Sequence, residues 1–182
     1  MRVISGTARG TKLTALPGEE ITRPTVDRVK EGMFSALHFE LPGARVLDLF
    51  AGSGQLGIEA LSRGAASCVF LDQDRAAVAV IAANCRAAGV FGSSRVAQGE
   101  AGAFLAAAKE RFHIVLLDPP YHQGTLEAIL PAVARVTEPG GTVLCESEIS
   151  ASLPDECGGL HKKKQYRYGT VLVTRYEKER VE

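Results

Sequence analysis

The chain is poor in the features that mark secreted, metal-binding and membrane-spanning proteins. Its four cysteines, Cys68, Cys85, Cys145 and Cys157, lie far apart, with no Cys-x-x-Cys pair and no histidine cluster beside them. Neither a disulfide framework nor a metal site is expected, and the thiols read as reduced. No stretch nears the roughly 18 uninterrupted apolar residues of a membrane span, and the Met1 start lacks the basic-then-apolar pattern of a signal peptide, so a cytoplasmic protein is expected. Internal repeats and low-complexity linkers are also missing. Net charge is absent too, the formal value being +0, but the balance is uneven. Residues 1–30 carry six basic and three acidic side chains and residues 161–182 seven and three, around an acidic middle. Basic ends suit a polyanionic partner.

What is present fits one folded domain: 182 residues, 46% of them apolar and 23% charged. Residues 1–20 form an extension, read as a short hairpin in which Val3 and Ser5 alternate, Gly6 to Gly10 turns, and Leu13 to Leu16 returns. It is too small for its own core and is expected to be an appendage. Residues 21–40 are a lead-in helix: after Arg23-Pro24-Thr25, Val26, Val29, Met33 and Leu37 recur at helical spacing, with Thr25 as N-cap and Asp27 in the first turn. Residues 41–182 are the core. Strand runs at 46–50, 68–71, 95–98, 114–117 and 142–145 alternate with helical segments at 56–63, at 74–88 between an Asp74 cap and Gly89, at 101–109, and at 125–136. The alternation predicts an α/β fold, an open, mostly parallel sheet with helices on both faces. A last pair of strands, 161–168 and 170–176 about Gly169, closes the edge as an antiparallel hairpin, giving seven strands in all.

In such sheets ligands collect beyond the carboxyl ends of the strands, where the winding reverses. The first tip reads Asp48-Leu49-Phe50-Ala51-Gly52-Ser53-Gly54-Gln55-Leu56-Gly57, with Asp72 twenty residues beyond Gly52. Gly-x-Gly-x-x-Gly with a later acid fits a nicotinamide dinucleotide as well as S-adenosylmethionine, and Phe50, Ala51, Gly52 and Gly54 are cofactor-contact candidates under either reading. Asp48 weighs toward the second, because a carboxylate there repels a pyrophosphate and attracts the methionine ammonium, directly or through water. Asp72 is placed to accept from both ribose hydroxyls, Gln73 to flank the adenine, and Glu100 to accept from its amino group.

The fourth tip is Asp118-Pro119-Pro120-Tyr121. Two prolines remove two amide donors and stiffen the corner, leaving the Asp118 carboxylate and the Pro119 carbonyl as a rigid pair of acceptors that faces the cofactor across the switch point. An exocyclic amino group of a base is a weak nucleophile because its lone pair is delocalised. Two acceptors on its hydrogens favour the pyramidal form and aim the lone pair at a methyl carbon. Tyr121 can stack on the extruded base. No cysteine stands in this loop, so attack by a thiolate on a ring carbon has no candidate.

The run DLFAGSGQLGIEAL with DPPY, joined to RVISGTARGTKL and RPTVDRVKEGMF near the amino end and Gln165-Tyr166-Arg167-Tyr168-Gly169-Thr170 near the carboxyl end, resembles the RsmD-type 16S rRNA guanine-N2 methyltransferases over nearly the whole chain. The resemblance implies a Rossmann-like class I methyltransferase that uses S-adenosylmethionine. Its implied target is one guanine, position 966, of 16S rRNA in the small ribosomal subunit or its assembly intermediate. It places Gly52, Gly54, Asp72 and Glu100 at cofactor positions and Asp118 to Tyr121 at the target amine. The chain departs from the family pattern at Ala8, Thr11, Asp72 and Glu100, where an aromatic, a basic residue, Glu, and Asp or Asn are usual. Arg2, Arg9, Lys12, Arg23 and Arg28 are candidates for rRNA contact, with Lys162, Lys163 and Lys164 a second set that can instead guard an edge strand. A monomer is expected. DNA as substrate, a nicotinamide-dependent oxidoreductase and a non-catalytic binding module stay open.

Overall fold

The computed structural model describes residues 1–18, 24–121 and 123–182, the side chains of Pro24 and Thr25 aside. Helix α1 spans Pro24–Ala36. There follow β1 (Arg45–Asp48), α2 (Gln55–Ser62), β2 (Ser67–Asp72), α3 (Arg75–Ala87), β3 (Ser94–Gln98), α4 (Ala101–Ala107), β4 (Phe112–Leu117) and α5 (Thr125–Val136). The chain ends with β5 (Thr137–Glu148), β6 (Glu156–Cys157), β7 (Leu160–Tyr168) and β8 (Val171–Lys178). One sheet runs β3-β2-β1-β4-β5-β8-β7-β6. Strands β3, β2, β1, β4 and β5 pair in parallel, and β8, β7 and β6 continue the sheet antiparallel.

The central strands β1, β2 and β4 form where the sequence runs apolar nearly without a break, because helices cover both sides and both sets of alternate residues are buried. On one face Val46, Phe70, Ile114 and Leu116 pack with Phe34 of α1 and Leu37 just beyond it, Leu61 of α2 and Ile81 of α3. On the other, Leu47, Val69, Val115 and Leu117 pack with Leu105 of α4 and Leu130 and Val133 of α5. Asp74 caps α3 as expected, accepting from the Ala76 amide at 2.9 Å. Gly57 lets α2 lie against β2: a Cβ there would sit 2.3 Å from Phe70 Cε1 and 2.7 Å from Cys68 Sγ.

The two halves of residues 1–16 pair as a short antiparallel hairpin, with an Arg2–Lys12 bridge and backbone bonds from Val3 N–H to Thr11, Gly10 N–H to Val3 and Leu13 N–H to Met1. Four expectations change. The hairpin does not stand apart as an appendage, for Val3, Ala8 and Leu13 are in the core. The buried Glu59 carboxylate accepts from the Ile4 amide at 3.0 Å and the Ser5 amide at 3.2 Å, Ser62 Oγ accepts from Ala8, and Asn84 bonds both Thr14 and Ser53. Side chains of α2 and α3 thus supply partners that a short hairpin lacks. Helix α1 begins at Pro24, so Thr25 lies within it rather than capping it, and proline suits a first helical position, where its missing N–H costs nothing. Beyond the seven strands expected, β6 adds a two-residue eighth at the edge. Finally, β5 starts at Thr137 and runs through Pro139-Gly140-Gly141, the register against β4 shifting between Phe112 and Ile114.

Candidate active site

The carboxyl ends of β1, β2, β4 and β5 converge on one side of the sheet. Gly54 adopts φ +82°, and a Cβ there would approach Ile81 at 3.2 Å, so glycine allows both the turn and the packing of the loop that leads into α2. Asp72, at the end of β2, holds this loop: its Oδ2 accepts from the Gly52 amide at 2.9 Å and its Oδ1 from the Asp74 amide at 2.9 Å. The carboxylate is thereby fixed at the tip with lone pairs to spare for a ligand.

Asp48 lies under the loop rather than in the cleft wall. It is 1% exposed, its Oδ2 accepts from the Gly57 amide at 3.0 Å, and its Oδ1 is buried with no hydrogen-bond partner. Burial pushes its carboxyl up to about 7, against the lowering effect of the Gly57 amide.

A cleft of about 630 Å³ opens over these tips, lined by Phe50, Gly52, Asp72, Gln73, Glu100 and Asp118 among others. That is within the roughly 300–1,000 Å³ of small-molecule sites. Glu100 lines it while capping α4, with Oε1 accepting from the Gly102 amide and Oε2 from the Ala103 amide, both at 2.8 Å. These bonds hold its carboxyl below the usual range. Pro119, Pro120 and Tyr121 complete the wall on the β4 side.

A second cleft, about 330 Å³, lies on the α1 side and is lined by Val29, Lys30, Gln55, Asp118 and Glu146 along with Met1. Phe50, Gly52 and Asp118 belong to both. Sequence reasoning passed over Lys30 and Glu146. Lys30 is a buried lysine whose Nζ donates to the Arg2 carbonyl at 2.6 Å, and burial lowers its pKa. Glu146 follows the last apolar residue of β5, so the strand-tip rule applied to the fifth strand finds it. Its Oε1 accepts from the Tyr121 hydroxyl at 3.1 Å, and burial raises both groups.

Met1 and Asp27, sequence neighbours of the rRNA-contact candidates Arg2 and Arg28, line this cleft, whereas Arg9 lies in the turn that packs on Ser62 at the far end of α2. Arg2, Arg9, Lys12 and Arg28 are exposed, Arg2 lying 3.7 Å from Asp27, and Arg23 lies outside the described residues. On β7, Lys162 pairs with Asp155 at 2.9 Å, Lys164 stands over the Tyr166 ring, and Lys163 is exposed. Among the described residues no helix is long and apolar enough to cross a membrane.

A glycine loop pinned by the β2 acid, opposite a proline-stiffened acidic corner across the switch point of a β3-β2-β1-β4-β5 sheet, defines a class I methyltransferase. The family model described as Conserved hypothetical protein 95 matches residues 1–177. Ribosomal RNA small subunit methyltransferase D of Escherichia coli K12 is 35% identical, the alignment covering 98% of this chain and 90% of that protein. The chain belongs to this family. YlbH of Bacillus subtilis strain 168 is 39% identical over 98% of this chain and 99% of its own. The solved structure of yhhF from Escherichia coli superimposes with a TM-score of 0.86 at 33% identity, covering 100% of this chain and 99% of that one.

Proposed function

We propose that the protein transfers a methyl group from S-adenosylmethionine to the exocyclic N2 nitrogen of a guanine in 16S rRNA, with the small subunit or its assembly intermediate as substrate, in the cytoplasm and as a monomer. Position 966 is the expected guanine. The observation that carries this reading is that Asp118 lines both clefts, which share Phe50 and Gly52 as well. An amine held at Asp118 therefore faces whatever lies over the glycine loop.

The residues fit the donor. Asp72 presents a fixed carboxylate to the ribose hydroxyls, and Gln73 and Glu100 stand at the adenine end. The buried, unpartnered Oδ1 of Asp48 lies beneath the loop, where a cationic ligand would favour its ionised form and a pyrophosphate would not. When bound, the donor supplies an electrophilic methyl carbon on a positively charged sulfur. Asp118 and the Pro119 carbonyl accept the two amino hydrogens and orient the nitrogen lone pair toward that carbon. Asp118 would also take up, along its hydrogen bond, the proton that the amino nitrogen loses on methylation. Tyr121 packs on the base. Positioning is the main contribution asked of the site.

The test is transfer of tritiated methyl to small subunits that lack the modification, run beside naked rRNA and duplex DNA at one salt concentration. Wild type should label subunits, Asp118→Ala should lose about 100-fold or more, and mass spectrometry of the rRNA should locate the methyl on a guanine. Preference for DNA, no labelling by wild type, or full labelling by Asp118→Ala would each refute the assignment.

A further inference from the structure

We infer that Glu146 reads the Watson–Crick edge of the target base, its carboxylate accepting the N1–H that guanine has and adenine lacks. The inference rests on the guanine-N2 reading above and names the residue that would make the site choose guanine.

Position comes first. Leu117 of β4 is the register partner of Cys145 of β5, so Asp118 and Glu146 are the next residues along two adjacent parallel strands. Both line the α1-side cleft. A group that engages an amino nitrogen at Asp118 therefore has Glu146 one strand over, and in guanine the C2 that bears the amino group adjoins N1 on the Watson–Crick edge and N3 on the other side.

Chemistry comes second. Glu146 is partly buried, and among the described residues no charged group offsets the burial that raises its carboxyl, only the Tyr121 hydroxyl opposing it. A partly buried carboxyl so placed favours an added hydrogen-bond donor. Tyr121 occupies one of the roughly four lone-pair sites of a carboxylate, so acceptor capacity is left over. A guanine edge offers N1–H and N2–H donors side by side, and Glu146 with Asp118 offers acceptors side by side. Adenine puts an acceptor, N1, beside its amino group, where it would face Glu146 lone pair to lone pair. The same carboxylate therefore attracts one purine and repels the other.

2-Aminopurine keeps the C2 amino group that would be methylated but carries a lone pair at N1. Subunits reconstituted with guanine or with 2-aminopurine at the mapped target, mixed in one reaction, give the ratio of kcat/KM directly. Wild type should prefer guanine by about tenfold or more, the range of a hydrogen bond to a charged group. Glu146→Gln, whose amide can donate to N1, should narrow that ratio at least about fivefold. Tyr121→Phe, which removes only the hydroxyl bond, should slow both reactions while leaving the ratio within about twofold. If Glu146→Gln transfers to neither base, the same ratio is read from binding of the two RNAs to the complex with S-adenosylhomocysteine. A wild type indifferent to 2-aminopurine overturns the inference, as does a ratio unmoved in Glu146→Gln, which would leave Glu146 only a support for Tyr121. Failure of wild type to methylate guanine at all would instead sink the proposed function, and is told apart by the guanine substrate alone.

Discussion

Asp48 keeps one oxygen on the Gly57 amide and buries the other without a partner, an arrangement that becomes unfavourable once the group ionises. Its folded-state pKa of about 7 lies above the ordinary carboxylate value. The stability that the protonated form contributes is thus complete below about pH 4 and is lost as pH rises through about 7. Asp48→Asn can keep the Gly57 contact without the charge. Its Tm advantage over wild type, measured without the donor, should widen between pH 5 and 8 by several degrees, corresponding to a few kcal/mol. A constant difference would mean that the group ionises freely in the folded chain. A cationic ligand above the loop supplies the missing counter-charge, so the donor should stabilise wild type more at pH 8 than at pH 6. The sequence located Asp48 at its strand tip but not its depth, because depth depends on how α2 closes over it. Asp72 and Asp118 were legible as strand-tip residues that line the cleft, because strand ends are reached by counting. Glu146 stayed out of view because a lone acid after an apolar run also reads as a solvated strand end.

Helix α2 is held to β2 by the absence of a side chain at one position. In Gly57→Ala the new methyl would meet Phe70 and Cys68, both buried between the layers. Overpacking of this kind costs about 1–3 kcal/mol, and the urea midpoint should fall accordingly with the slope unchanged. A loss below about 0.5 kcal/mol would mean that α2 can slide at no cost. Elements of this size were the most readable in the sequence: α5 spans Thr125–Val136 as its periodicity and flanking glycine indicate. What resisted reading was structure fixed by distant partners. The Pro139-Gly140-Gly141 stretch has turn composition and falls in the irregularity between the Phe112–Thr137 and Ile114–Thr142 pairs, which enclose it within β5. Strand β6 is two residues long and has no pattern of its own; it exists because β7 lies beside it.

For the whole molecule, the uneven charge of the sequence has a spatial counterpart: Asp118 and Glu146 line the α1-side cleft, while Arg9, Lys12 and Arg28 stand exposed on the amino-terminal segments. Neutralising Arg9 and Lys12 together should weaken binding to small subunits and flatten its dependence on salt, by about one unit of log–log slope for each charge removed. Affinity for the methyl donor should stay as it was. An unaltered slope would move the RNA track to Lys162–Lys164 on β7. The anchoring of residues 1–14 also has a consequence in time. Glu59, Ser62 and Asn84, which grip that segment, follow it in the chain by 54 to 70 residues. During synthesis the amino end must wait, unsecured, for hands that have yet to be made, and the wall it lends to the α1-side cleft cannot be set before they are.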